Sequence, residues 1–397
     1  MREKFPLLLI EINIEEIIFA VCKYENENFK LLHKQSSLTE GIKNNRIENF
    51  ELIYNIFRSN IYSLEQKINH TFKEAILILN NFNCSITNIS GFKKLNGSQL
   101  ERGNITYILN SLKSEIDETE NKKKILHIFN SNYLLDKKKI ENLPIGLFGN
   151  FYSQELSFYL IDKNDFKNLN NIFNKCNLRL KKIISKKFIE GTHLINEDSN
   201  LDCFFKVEIN RLDSKIIFFE NSALKFYQDF RFGSDIIIND ISKITKLELD
   251  VVREVLKDTN FLSEHPDKSF LKEDFFSKQN FRKIKKKLIL DVAKSRIEEI
   301  AEIIILKNIN VQNFLSKNCI AFIQIDDEVV SKMFRDNFKS VFSRNDKLVS
   351  KIFNKIGYEK IYENTLRLVQ FGWKREAVPV VQEKKSLLAR LFGIIFK

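Results

Sequence analysis

The chain has 397 residues, of which 43% are hydrophobic and 29% charged, a globular balance that excludes wholesale disorder and leaves room for two or three domains. Lys and Arg number 64 against 52 Asp and Glu, and the formal net charge of +12 admits an anionic partner without naming one. The five cysteines (Cys22, Cys84, Cys176, Cys203, Cys319) are scattered and never form a CxxC pair. That argues against a disulfide framework and a zinc site and points to a reducing cytosol.

The apolar stretch Phe5 to Ile12 is broken by Glu11 and followed by Glu15 and Glu16, so it reads as a first buried strand, not a signal peptide. No run reaches about 18 apolar residues, so no segment is expected to span a bilayer. Leu7 to Asn13, Ile17 to Lys23 and Phe29 to Gln35 are β-rich runs, followed by a helical pattern at Asn49 to Asn69 and a strand at Ala75 to Leu79. This order suits an α/β layer architecture. From Asn80 to Asp162 the texture changes: a polar loop, a helix near Asn104 to Glu118, then strands at Ile125 to Phe129 and Leu156 to Leu160 around a Pro/Gly segment. This reads as an inserted subdomain.

After a helix at Asn164 to Cys176 and a strand at Leu178 to Ile184, the opening pattern returns. Phe204 to Ile209, Lys215 to Phe219 and Leu224 to Arg231 lead into a helix at Asp235 to Lys246, so the chain reads as a duplicated fold. Lys272 to Asn308 reads as helical, with the basic run Arg282 to Lys287. A strand at Ile320 to Ile325 precedes two more helices, and Glu376 to Glu383, with Pro379, reads as a linker.

The last residues, KKSLLARLFGIIFK, place Leu387, Leu388, Leu391, Phe392 and Ile395 on one helical face, with Phe396 beyond it and Lys384, Lys385, Arg390 and Lys397 around it. Ser386 is placed to cap that helix. At about 1.5 Å per residue the helix is about 21 Å long, short of the roughly 30 Å hydrocarbon core, so it is expected to lie in an anionic membrane surface.

Several local motifs carry a family resemblance. Pro144-Ile145-Gly146-Leu147-Phe148-Gly149 fits P-x-G-L-x-G, Leu126-His127 an L-H pair, and Tyr133 to Asp136 a Y-x-x-D stretch. Cys176 and Leu178 fit C-G-L, with Asn177 in the glycine place. Gly233 with Asn239-Asp240-Ile241, and Glu254-Val255-Leu256-Lys257, match two second-half segments. Together they resemble FtsA, the actin-like bacterial division protein, over essentially the whole chain.

The resemblance implies an actin/Hsp70-like two-lobed fold. The first lobe would comprise 1–81 with 163–190 and 358–375, the FtsA-type inserted subdomain 82–162, and the second lobe 191–357 with an outer part at about 240–310. A linker at 376–383 and the membrane helix at 384–397 would follow. It implies a scaffold on the cytoplasmic face of the inner membrane at the division site that tethers FtsZ filaments through the FtsZ C-terminal tail, self-associates and recruits later division proteins. Arg282, Lys286 and Arg296 are the residues assigned to that tail. A PilM-like pilus-assembly scaffold of the same fold and a working ATP-binding, polymerising actin relative are the alternatives.

In such folds two hairpins hold ATP phosphates through backbone N–H groups, and glycines let the backbone approach. FtsA-like loops read D/E-I-G-T-x-K and D-I-G-G-G-T. Here they read Glu11-Ile12-Asn13-Ile14-Glu15-Glu16 and Glu208-Ile209-Asn210-Arg211-Leu212-Asp213, with Asn13, Asn210, Leu212 and Asp213 at unsuitable places and Glu16 reversing a cation. Asp326-Asp327 stand where a T-G-G turn is expected, and Glu254 and Lys257 near the ribose place. ATP and Mg²⁺ are therefore disfavoured, ATPase activity is not expected, and no catalytic residue is assigned. No metal set is evident, since His33, His70, His127, His193 and His265 lack ligand spacing and read as surface or packing residues. No nucleic-acid motif accompanies the basic run.

Overall fold

The computed structural model describes residues 6–25, 28–80, 82–198, 200–201, 203–258, 261, 269–276, 280–315, 319–344 and 348–377. They form two compact units, one built from the residues up to Lys186 together with those from Leu366 onward, the other from Lys187–Thr365.

The first unit opens with β1 (Leu7–Ile12), β2 (Glu16–Glu25) and β3 (Asn28–Leu38), then the short β4 (Ile42–Lys43) and β5 (Arg46–Ile47), α1 (Phe50–Ile68) and β6 (Glu74–Leu79). Asn49 caps α1 by accepting from the Leu52 amide, and Asn69 in the left-handed region ends it. Next come β7 (Cys84–Lys94), α2 (Arg102–Thr119), β8 (Lys123–Leu135), β9 (Lys138–Ile140), β10 (Phe151–Asp162), α3 (Lys163–Lys175) and β11 (Arg179–Ser185). One sheet runs β11-β6-β1-β2-β3; a second, β7-β10-β8-β9, has its own core of Ile108, Leu112 and Ile116 from α2 against Leu156, Phe158 and Leu160. β7 lies where the sequence reads as a loop: its Ile86 and Ile89 are separated by polar residues, and eleven-residue pairing with β10 makes it a strand.

The second unit contains most of α4 (Lys186–Glu197), then β12 (Cys203–Ile209), β13 (Ser214–Glu220), β14 (Ala223–Phe230), α5 (Asp235–Thr245), α6 (Leu249–Lys257), α7 (Lys286–Ala301), a π-helical turn at Glu302–Leu306, α8 (Ile309–Gln312), β15 (Cys319–Ile325), α9 (Glu328–Phe342), β16 (Leu348–Ile352) and the start of α10 (Tyr358–Phe371). Its sheet runs β14-β13-β12-β15-β16. Read outward from β1 and β12, the two five-stranded sheets match strand for strand, with antiparallel hairpins on one side and parallel additions on the other. The duplication is thus topological.

Lys272 to Asn308 is not one helix. Leu271 and Lys286 donate their amides to Ile284 and Ser269, an antiparallel pairing that ends where α7 begins, and before it, among the described residues, only Glu273–Phe276 form a short 3-10 turn. β16 also intervenes between the last two long helices. The expectation of unpaired cysteines needs correcting: Cys203 and Cys319 are joined as a disulfide, their Cα atoms 5.3 Å apart. They are 116 residues apart, and the parallel register of β12 with β15, Phe204 opposite Ile320, brings them side by side. Among the described residues no helix is long and apolar enough to cross a membrane. Lys384, Lys385, Leu387, Leu388, Arg390, Leu391, Phe392, Ile395 and Phe396, assigned to the membrane helix, lie outside the described residues, as does His265.

Candidate functional site

Side chains alternate across a strand, so on β12 Phe205, Val207 and Ile209 enter the core covered by α5, α7 and α9, while Phe204, Lys206 and Glu208 point to the opposite face. On that face Lys206 is fully buried. Its Nζ donates to Glu208 Oε1 at 2.6 Å and to Glu190 of α4. Burial by itself would strip Lys206 of its proton, but the charges of Glu190 and Glu208 reverse this and hold its pKa above the usual lysine range. Burial likewise opposes ionisation of Glu208, and the adjacent Lys206 and Lys215 overcome it, so its carboxyl stays well below the ordinary range. α4 comes this close because residue 191 is glycine: a Cβ there would sit 2.0 Å from the Phe219 ring.

The hairpin after Glu208 closes on itself. Asn210 donates its amide to the Asp213 carbonyl at 2.9 Å and its side-chain amide to the Asp213 carboxylate, while Leu212 is exposed. The loop before α5 lies on this turn, with Ser234 N donating to Asn210 O (2.8 Å) and Asp235 N to Arg211 O (3.0 Å). A Cβ on Gly233 would meet Asn210 O at 2.2 Å, which explains the glycine there.

At the end of β15, Asp327 caps α9 by accepting from the amides of Val329 (3.0 Å) and Val330 (3.1 Å). Arg253 of α6 donates to Asp327 Oδ2 at 2.9 Å and also pairs with Asp235. Asp326 accepts from Gln324 (2.7 Å) and Lys355 (3.0 Å). The two carboxylates expected to repel a phosphate are each matched by a cation of the chain. Glu254 and Lys257 are both exposed on α6.

The first hairpin, in the other unit, follows the same logic. Glu11 is buried and accepts from Lys186 Nζ at 2.5 Å. Asn13 donates its amide to Glu16 O (3.0 Å), its side-chain oxygen accepts from Asn80 (2.9 Å), and its carbonyl accepts from Thr39 Oγ1 (3.0 Å). Glu16 is half-buried.

ATP and Mg²⁺ do not fit these loops. One amide of each hairpin, Asn13 N and Asn210 N, is spent on the hairpin's own carbonyl, the first amides of α9 are taken by a carboxylate, and Glu11, Glu208 and Asp327 already hold ammonium or guanidinium groups. Two buried atoms nearby, Ser234 Oγ and Gln324 Oε1, lack partners, but a hydroxyl and an amide oxygen are not a triphosphate site. Among the described residues no acidic, His or Cys group forms a metal cluster. Lys186, Glu190, Lys206 and Arg253 were not singled out from the sequence. Only Lys206, two residues before Glu208 on the same strand face, left a local signal.

In the outer part of the second unit, Lys286 is buried with its ammonium 5.4 Å from the Phe261 ring centre. Arg296 is held by Asp240 and Glu299, and Arg282 donates to the Lys246 carbonyl at 2.7 Å. Each of the three cations is engaged within the chain.

No protein-family model matches the chain. It is 22% identical over 387 residues, 94% of this chain and 91% of its relative, to the cell division protein FtsA of Buchnera aphidicola subsp. Acyrthosiphon pisum (strain APS). A solved PilM-PilN type IV pilus biogenesis complex aligns with TM-score 0.50 and 10% identity, covering 93% of this chain and 99% of that one. MreB 5 of Spiroplasma citri aligns at TM-score 0.43 and 12% identity, covering 92% of this chain and 96% of that one. The chain is thus similar to FtsA along nearly its whole length and has the actin-like ATPase fold.

Proposed function

We propose that this protein is a non-enzymatic division scaffold that ties FtsZ filaments to the cytoplasmic face of the inner membrane, self-associates and recruits later division proteins, with a nucleotide cradle closed by its own side chains. The likeness to FtsA along nearly the whole chain supports the division role. The observation that carries the closed cradle is the internal pairing of Glu11 with Lys186, Glu208 with Lys206, and Asp327 with Arg253 and the first turn of α9.

Membrane attachment is assigned to 384–397. Each basic residue near anionic lipid adds about 1 kcal/mol and each fully buried large apolar side chain about 1.5 to 3 kcal/mol, before ordering costs. Such a helix binds modestly alone and strongly when self-association multiplies it. Co-sedimentation with vesicles containing phosphatidylglycerol tests this: deletion of 384–397 should release the protein, and unchanged sedimentation refutes the anchor.

The test of the cradle is thermal. A ligand at about 100 times its Kd adds about 2.7 kcal/mol to folding stability. Excess Mg-ATP should leave the melting temperature unmoved, and a saturable rise would overturn the reading. A PilM-like pilus scaffold is the second reading, supported by the fold match to PilM. Binding of the FtsZ C-terminal peptide, compared with a cytoplasmic peptide from a pilus membrane protein, separates the two.

A further inference from the structure

β8 is paired along its length with β10 but has only a partial partner on its other side, where β9 covers Tyr133 to Leu135. The next stretch of that side is occupied by the chain's own C-terminal approach. Asn130 N donates to Arg375 O and Ala377 N to Ile128 O, both at 2.7 Å, with Phe129 opposite Glu376 in antiparallel register. Glu376 and Ala377, the first two residues of the stretch that reads as a linker, are therefore docked.

Side chains lock this contact at three points. Glu376 Oε1 lies 2.8 Å from Nδ1 of the buried His127, and Lys182 Nζ donates to Glu376 Oε2 at 3.0 Å. His127 Nε2 faces the Ser185 amide at 3.4 Å, which assigns the ring proton to Nδ1, where it donates to Glu376. Arg375 lies over the Tyr133 ring at 5.2 Å and donates to the Glu141 carbonyl at 2.8 Å, and Ala377 packs on the core of the β7-β10-β8-β9 sheet.

A passing loop does not need a buried histidine and a lysine that both meet one carboxylate, Glu376, beside an arginine of its own laid on a neighbouring ring and carbonyl. We propose that Arg375 to Ala377 form a strap that completes the open side of β8 by strand addition and fixes the root of the C-terminal stretch to the β7-β10-β8-β9 sheet. His127, Lys182 and Tyr133 are its positioning residues. The strap stands on geometry alone; its role as the root of a membrane tether rests on the membrane reading above. In that role, a pull on the tether arrives first at this sheet.

Amide hydrogen exchange on the full-length chain tests the strap. The amides of Asn130 and Ala377 should be protected, and Glu376→Ala should speed both at least about tenfold while the β10 amides of Phe158 and Leu160 stay unchanged. Glu376→Gln, which keeps an acceptor for His127 and loses the charge facing Lys182, should give an intermediate effect and serves if Glu376→Ala fails to fold. Unprotected Asn130 and Ala377 in the unmodified chain, or protection untouched by both variants, overturns the strap. On phosphatidylglycerol vesicles Glu376→Ala should remain bound with both amides open, whereas a chain ending at Ala377 should be released. If the shortened chain stays bound, the tether role falls while the strap is judged by exchange alone.

Discussion

Lys206 and Glu208, two residues apart on β12, bring Nζ and Oε1 to 2.6 Å with the ammonium wholly out of water, and Glu190 completes the group from α4. The charge that would otherwise attract a cation is met from within the fold.

Removing that ammonium should be costly. Lys206→Met leaves two buried carboxylates facing each other, and breaking a buried pair in this way costs about 3–5 kcal/mol. Urea denaturation should show the loss. The triple variant Lys206→Met, Glu190→Gln, Glu208→Gln should recover part of it, because no buried carboxylate is left without a cation, although the buried Lys215 loses the charge of Glu208.

Gly191→Ala sets two effects against each other. Alanine gains about 1 kcal/mol over glycine in a helix interior, but its Cβ would overlap the Phe219 ring, which is stacked on Phe204 with centroids 5.0 Å apart and has no room to retreat. Overpacking costs about 1–3 kcal/mol, so the net change should be destabilising, read as a lower midpoint in urea.

At the head of α9, Asp327→Asn keeps an acceptor for the Val329 and Val330 amides, whereas Asp327→Ala removes it. Loss of the cap costs about 1 kcal/mol, and in both variants Arg253 loses one of its two carboxylate partners, keeping Asp235. Thermal melts should therefore rank the unmodified chain above Asp327→Asn and that above Asp327→Ala.

Acid should open the strap. Burial holds His127 below its ordinary value near 6.5, despite the opposing pull of Glu376; Lys182 adds to the lowering, and Tyr159 and Ser185 close the remaining sides. Above about pH 6.5 the ring is neutral whether folded or not. Below it the unfolded chain takes up a proton that the buried ring resists, and stability falls. For Glu376 burial works against ionisation, but the hydrogen bond to His127 and the charge of Lys182 bring its pKa to about 2, so its contribution is present above about pH 4.5 and fades towards pH 2. Tryptic cleavage after Arg375 should quicken as the pH drops from 7 to 5 relative to cleavage elsewhere in the chain. A flat ratio contradicts this.

Much of the architecture is written in short-range pattern. The near-continuous apolar run Leu7 to Ile12 and the alternation at Phe204 to Ile209 mark the two leading strands, Asn49 and Asn69 bracket α1, and the missing glycines in both hairpins are visible in the amino acids themselves. β7 and β16 were not legible, because their apolar content is thin and their pairing with β10 and β15 makes them strands. The pairing of Cys203 with Cys319 was equally hidden, since it depends on the register of two distant strands.

The sequence alone determined a duplicated α/β chain whose phosphate loops lack the residues for close backbone approach, because periodicity and glycine content act over a few neighbouring residues. Tertiary structure decided what those loops do instead. Lys186 reaches Glu11 across 175 positions and Glu376 reaches His127 across 249, and only the folded path of the backbone brings such charges within hydrogen-bonding distance and removes the water that would weaken them.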